Sequence, residues 1–191
     1  MEYELQKFVK LNIESKRFEN LTFSECEFDK CEFFENVLKR CTFKNCTFRK
    51  CVIVNNTFEF TTAAGNWFEG CTIIGLNWDK ITQPHVLFMP FEKFENCVLK
   101  YNVFYKLKLK KIDLHGCDLQ GSFFEECDLT EADFRDCNLA ETVFTNANLM
   151  KADFRGAKNY VISPQDNRVR KAKFSFPEVL SLLKCLEIEI E

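Results

Sequence analysis

Residues 41–54 read CTFKNCTFRKCVIV. Cysteine, polar, phenylalanine, polar, polar occurs twice, and a third unit opens at Cys51 with isoleucine in place of phenylalanine. Counted outward in fives, the large apolar position is unbroken from Phe8 through Phe18, Phe28 and Leu38 to Phe58. It passes a weak member at Ala63, within TTAAGN, and continues through Phe68, Ile73 and Trp78. After an irregular stretch it resumes one residue out of phase at Phe94, runs to Phe154 and stops at Asn159. Two residues before each large position lies a smaller one. It holds ten of the eleven cysteines, with Ser122, Ala132, Thr142, Ala147 and Ala152 in the same slot, and only Cys185 falls outside it.

That placement argues against the usual uses of cysteine. A zinc site needs closely paired ligands with a closing pair, whereas the spacing here is five and the chain has only His85 and His115. A reactive thiol needs an exposed, electropositive niche. Beside a large ring, cysteine serves as a small hydrophobe interchangeable with Ala, Ser and Thr. We therefore expect no metal, no cofactor and no disulfide framework. No run of eighteen apolar residues occurs, and the opening MEYELQKFVKLNIESKRF lacks the order of a secretory signal. The expectation is a soluble, cytoplasmic protein whose cysteines stay as thiols.

A period of five fits neither a helix at 3.6 nor a strand at two. It fits a coil of four short sides, each unit supplying one side and one turn, so that equivalent positions recur every twenty residues and stack at about 4.8 Å with backbone bonds running between coils. The 22 Phe of this 191-residue chain then form internal ladders. From about Gln6 to Ala157 this gives between seven and eight coils, a rod of roughly 36 Å. The reading is residues 1–157 as one repeat domain, irregular at 79–93, and 158–191 as a C-terminal module.

Two regions depart from the cadence. WDKITQPHVLFMPFEKF, residues 78–94, contains Pro84, His85, Phe88, Met89, Pro90 and Phe91. It reads as a bulge or loop that re-enters the core, or as a projecting feature a partner could recognise. The end, SFPEVLSLLKCLEIEIE, has Ser175 and Glu178 at capping-box spacing with Pro177 in the first turn. Val179, Leu182, Leu183 and Leu186 follow on one helical face, and Ile188 and Ile190 alternate with glutamates as in a short strand. This module either covers the last coil, whose open edges need protection, or forms a homodimer interface through Phe174, Phe176, Val179, Leu182, Leu183, Leu186, Ile188 and Ile190.

Charge is unevenly spread. The overall value is −3, but residues 1–111 carry +3, residues 112–157 carry −7 and the remainder +1. Asp113, Asp133 and Asp153, twenty apart, are expected to stack, at positions that also suit Asp for local turn bonding.

The units ADFRD at Ala132, ANLMK at Ala147 and ADFRG at Ala152 resemble the A(D/N)LXX consensus of pentapeptide repeat proteins. The resemblance covers about four fifths of the chain and implies an all-β solenoid, a right-handed quadrilateral β-helix. GLNWDKI, the middle around FENCVLKYNVFYKLKLKKIDL, and the tail NYVISPQDNRVRKAKFSFPEVLSLLKCLEIEI look most like the gyrase-protecting subgroup of albicidin-resistance, microcin-immunity and Qnr-type proteins. That likeness implies a non-enzymatic DNA mimic binding DNA gyrase or topoisomerase IV and altering its response to poisons. Asp113, Asp118, Glu125, Glu126, Asp128, Glu131, Asp133, Asp136 and Asp153 would form its acidic partner-binding face. The slightly basic first half, with YKLKLKK at 105–111, limits mimicry to part of the rod. The alternative is a structural or adaptor solenoid with an unrelated protein partner.

No catalytic reading competes. Neither histidine has a sequence-local nucleophile, and no glycine-rich phosphate loop or GxSxG is present. RVRKAK, residues 168–173, is too short and too lacking in aromatics to indicate direct nucleic-acid binding.

Overall fold

The structure, a computed structural model, describes residues 1–82 and 89–186. Each five-residue unit makes a short strand or bridge and a corner, and four units close one coil. Phe8 pairs in parallel with Phe28, Ile13 with Phe33, Phe18 with Leu38 and Phe23 with Phe43. Parallel sheets form the four sides of the rod. We call them A, B, C and D after the inward residues Phe23, Phe28, Phe33 and Leu38. Within a strand, polar–apolar–polar order turns one side chain in and two out.

Most backbone bonds of the rod run between coils, joined in the second half by turn bonds within a coil such as Ala132 N to Leu129 O. Glu27 N donates to Gln6 O at 2.9 Å, and the corner residue Lys10 donates to Asp29 O at 2.9 Å. The corner requires a left-handed backbone, with φ between +51° and +57° at every fifth residue from Leu5 to Phe60 although none of these is glycine. That conformation is unfavourable for residues bearing a Cβ, and the ladder of bonds above and below holds it in place. At Gly156, φ +75°, a Cβ would meet the exposed Asp136 carboxylate of the coil below and oblige it to move.

The small slot has a second role besides fitting beside a ring. Slot residues that carry a donor reach the carbonyl of an inward residue one coil down. Cys51 Sγ donates to Phe28 O at 3.3 Å and Cys117 Sγ to Phe94 O at 3.1 Å. Thr61, Ser122 and the amides of Asn36, Asn56, Asn66 and Asn102 make the equivalent bond. The slot thus favours a small side chain with a donor, which satisfies a carbonyl inside an apolar tube. All eleven cysteines are free thiols, and ten are buried. Burial pushes Cys46 and Cys127 up to about 11 and Cys137 up to about 12, so these thiols are held neutral.

The phase slip has a simple count. Phe68 pairs with Phe94, Thr72 bridges to Val98 and Asn77 to Val103, each a step of 26 instead of 20. This one coil carries six extra residues, with the register break between Asn66 and Trp67. The chain rejoins the ladder at Met89 and Pro90, whose carbonyls accept from Gly65 N and Asn66 N.

The ladder also continues past Ala157. Asn138 bridges to Lys158, Asn148 to Arg168, and Asp153–Phe154 pair with Lys173–Phe174. Tyr160 and Ile162 are buried, and Phe174 stacks on Phe154 at 5.2 Å. A 3₁₀ helix, Glu178–Leu186, follows, with Leu182 packed against the core. The capping box expected from Ser175 is not what the hydroxyl does, because Ser175 Oγ accepts from Gly156 N at 2.8 Å and ties the helix entry to the last coil.

The two halves of the interior are filled differently. From Phe94 to Phe154 the ladders of sides B and D meet edge-to-face across the axis. Phe124–Phe134 and Phe134–Phe144 are 5.9 and 5.7 Å apart, and leucine ladders on sides A and C fill the remainder. In the first three coils the rings stack flat along their own walls, as in Phe8–Phe28–Phe48 at 4.9 and 4.7 Å. An axial void of about 280 Å³ remains between them.

Candidate functional site

The side on which a residue lies follows from its number within the twenty-residue turn, and this separates the acidic residues. Asp113, Asp133 and Asp153 stack on side B, as their bridges show. Asp118 belongs to side C, Glu125 and Glu126 to side D and the corner after it, Asp128 and Glu131 to side A and its corner, and Asp136 to the corner between B and C. The nine residues expected to make one acidic face therefore surround the rod. A five-step repeat rotates each successive unit by a quarter turn, so neighbours in sequence cannot share a side.

Most of these carboxylates also have cationic neighbours. Lys93 is 3.3 Å from Asp113, Lys100 2.9 Å from Asp118, Lys106 3.5 Å from Glu126, and Lys151 2.9 Å from Glu131. Arg135 forks onto Asp133 and Arg155 onto Asp153. Burial pushes Asp133 up, and the Arg135 guanidinium more than offsets this, so its carboxyl titrates below the usual range. Asp153, beside Arg155, and Glu131, beside Lys151, are lowered likewise. The side B column reads Lys93–Asp113–Asp133–Asp153–Lys173, with a cation at each end. Glu125 and Asp128 have no ion-pair partner among the described residues.

The aspartates have a local role as well. Asp113, Asp118, Asp128, Asp133 and Asp153 each accept the N–H two residues ahead through Oδ1, at 3.0–3.3 Å. Asn138 and Asn148 do the same. This is the Asx turn that the side chain's length permits. Side D departs from it, because Val103, Phe123 and Val143 stand where Asp would. Phe123 is 46% exposed and Val143 40%, forming an outward apolar stripe that only the twenty-residue register reveals.

Of the irregular segment, Pro84, His85 and Phe88 lie outside the described residues. Met89 is half-buried, Pro90 and Phe91 are buried, and Phe91 packs edge-on to Trp78 at 4.7 Å. Phe91 is thus part of the core and cannot be a contact on a projecting loop.

At the other end, Phe174 is the last rung of side B, Phe176 is 79% exposed, and Val179, Leu182 and Leu183 are half-buried. The side chain of Leu186 and all of Ile188 and Ile190 lie outside the described residues. A cleft of about 580 Å³ separates Asn159–Val161 from the helix residues Glu178, Leu180, Ser181, Leu183 and Lys184. The Tyr160 hydroxyl is buried without a hydrogen-bond partner, and burial pushes it up to about 12.

His115 Nε2 sits 3.2 Å from the Asp136 carboxylate on the surface, with no nucleophile beside it. Among the described residues no group of three or more His, Cys, Asp or Glu is placed to hold a metal, and no helix is long and apolar enough to cross a membrane.

Residues 93–160 match the family model described as a pentapeptide repeat region. Two solved structures of trypsin-treated QnrB1 variants, a plasmid-mediated fluoroquinolone resistance protein, superpose on the chain with TM-scores of 0.74 and 0.72. Each is 17% identical, covering 97% and 96% of this chain and 100% and 99% of theirs. No curated protein matches the chain in sequence.

Proposed function

We propose that this chain, a β-solenoid whose residues 93–160 match a pentapeptide repeat region, is a non-enzymatic partner of a type II topoisomerase, DNA gyrase or topoisomerase IV, whose response to poisons it alters. The observation carrying this reading is the −7 charge confined to residues 112–157, on a narrow rod whose fold is that of a fluoroquinolone resistance protein. A surface built to grip DNA is basic, and opposed fields speed encounter and set register. The unpaired Glu125 and the surface carboxylates flanking the Phe123–Val143 stripe would contribute most, because they need no internal ion pair to open. The C-terminal module would dimerise the rod through exposed Phe176 and the Leu183 face.

A supercoiling titration tests this directly. Micromolar protein should alter gyrase supercoiling or its inhibition by a quinolone, and Glu125→Lys with Asp128→Lys should weaken the effect by at least tenfold. No change in either assay would sink the reading. Light scattering checks the dimer, which Phe176→Glu with Leu183→Glu should convert to monomer.

The Val103–Phe123–Val143 stripe, exposed at Phe123 and Val143, favours a second reading, an adaptor solenoid gripping an unrelated protein through an apolar side. Phe123→Glu would abolish that partner's binding while leaving any effect on gyrase intact.

A further inference from the structure

The apolar stripe on side D of the second half has surroundings that specify what would cover it. Successive coils present Val103, Phe123 and Val143 at one outward position, in register. At the corner leading into that side the ring of Tyr101 covers Gly121, where a Cβ would stand 2.5 Å from a ring carbon. Tyr101 is exposed, and so is Val161 at the same corner two coils beyond Gly121, between the bridges of Asn138 to Lys158 and Asn148 to Arg168. With rungs about 4.8 Å apart, the apolar surface from Tyr101 to Val161 is roughly 14 Å long.

One carboxylate borders the stripe on each flank. Glu125 lies on the strand of Phe123, and Glu141 at the corner before Val143, and both are exposed. Neither has an ion-pair or hydrogen-bond partner for its carboxylate among the described residues. The other carboxylates of residues 112–157 lie against Lys, Arg or His. Asp128 is the exception, and its Oδ1 is taken up by Thr130 and Asn148. The unengaged acid of this half therefore flanks its exposed apolar residues.

That pairing selects a partner with an apolar centre and cations on both flanks. An anionic membrane, a nucleic acid or an acidic protein segment would be repelled. A second copy does not fit, because a twofold pairing lays the same patch on itself and sets carboxylate against carboxylate along both flanks.

The backbone selects the partner's conformation. The N–H groups of Val103, Phe123 and Val143 donate to Leu76 O, Asn102 O and Ser122 O one coil below, and those of Lys106 and Glu126 donate to Glu125 O and Thr145 O one coil above. The ladder bonds of side D are thus spent along the rod, and the side offers no edge to an added strand. An extended segment laid over it would bury N–H and C=O groups without partners. An α-helix satisfies its own, and its turn of about 5.4 Å stays close to the rung spacing of about 4.8 Å, so that apolar residues on successive turns meet successive rungs.

We propose that side D of the second half docks a basic amphipathic helix of a partner protein, its apolar face on the Val103–Phe123–Val143 stripe and its Lys or Arg residues against Glu125 on one flank and Glu141 on the other. This rests on the adaptor reading above and gives that partner its chemistry.

Fluorescence anisotropy of labelled peptides of about eighteen residues, long enough to overrun the stripe, tests this with the full chain. One peptide sets leucine at three- and four-residue spacing among lysines, a second has glutamate for lysine, and a third keeps the first one's composition with leucine at alternate positions. We expect saturable one-to-one binding of the first, with the other two at least about tenfold weaker. Phe123→Thr, which leaves Phe124 in the core, should weaken the first at least about tenfold. Glu125→Gln with Glu141→Gln should weaken it about fivefold in low salt and by less in high salt. Glu27→Gln with Glu69→Gln, the same change of charge on side B, should leave it within about a factor of two. Cooperative melting establishes that each variant is folded, and the peptide series needs no variant at all. No saturable binding of the first peptide, equal weakening by the two double variants, or binding unchanged in folded Phe123→Thr would overturn the proposal. Equal binding of the acidic peptide, lost in Phe123→Thr, would overturn it too while leaving the adaptor reading in place.

Discussion

The rod before the inserted coil and the rod after it obey the same five-step rule and are built from different residues. Before it, the outward position is mostly Thr, Glu or Val, as at Thr47, Glu32 and Val52, and parallel strands mostly of three residues run from corner to corner. After it, that position is mostly Asp or Asn, whose carboxyl or amide oxygen caps the turn, and pairing on those units shrinks largely to single bridges, while side D keeps three-residue strands. Inside, the first half stacks rings against its walls and stays hollow, while the second alternates leucine with edge-to-face phenylalanine and fills the axis. The cadence fixes the tower's outline. Residue type at each slot decides whether the tower is solid and how its corners are tied.

The largest expected difference lies in the interior. Phe134→Ala in the filled half removes a ring that touches two others across the axis, and should cost about 3–5 kcal/mol in denaturant titration. Phe43→Ala, which already borders the void, should cost nearer 3 kcal/mol, about the low end for such truncations. Equal losses would mean that the two interiors are packed alike.

Filling should have opposite signs in the two halves. Ala63→Leu places methyl groups in existing space and should raise stability by about 1 kcal/mol. Leu129→Phe adds a ring where none fits and should lower it by about 1–3 kcal/mol. A pair of thermal melts is enough to compare them.

The corners give a smaller contrast. Asp128→Ala loses the turn bond to Thr130 N and the contact to Thr130 Oγ1, and should cost about 1 kcal/mol. Thr57→Ala on a strand of the first half should stay within about 0.5 kcal/mol. Asp128→Asn, which keeps the acceptor, should recover most of the loss.

The smallest effect is on acid stability. Glu131, Asp133 and Asp153 have folded-state values lowered by their Lys or Arg neighbours. A depressed folded value means the stabilisation is complete above the ordinary carboxylate range and fades as pH falls through that range toward the lowered values. Melting temperature should therefore drop between about pH 5 and pH 2. Because these pairs are exposed, added salt should shrink the change. Arg135→Gln with Arg155→Gln should flatten it further.

The alternation of Cys or Ala with Phe or Leu was enough to suggest a four-sided coil of twenty residues and the burial of ten thiols, because a period of five fits neither a helix nor a strand, and the resemblance to pentapeptide repeats supplied the all-β solenoid. The tail was partly legible: Val169 and Phe174 lie twenty residues after Leu149 and Phe154, a signal that the break at Asn159 hides when only adjacent units are compared. The six-residue lengthening was visible as a slip of one, because five of the six residues make a whole unit and vanish from the phase. What needed three dimensions was everything that depends on neighbours one coil away. Only stacking shows that Asp113 faces Lys93, that Phe123 joins Val143 in a stripe, that a thiol donates to a carbonyl twenty-three residues back, and that Ala63 borders a void. Such contacts join residues a full turn apart, and whether rings meet across the axis or lie along the walls depends on all four sides at once.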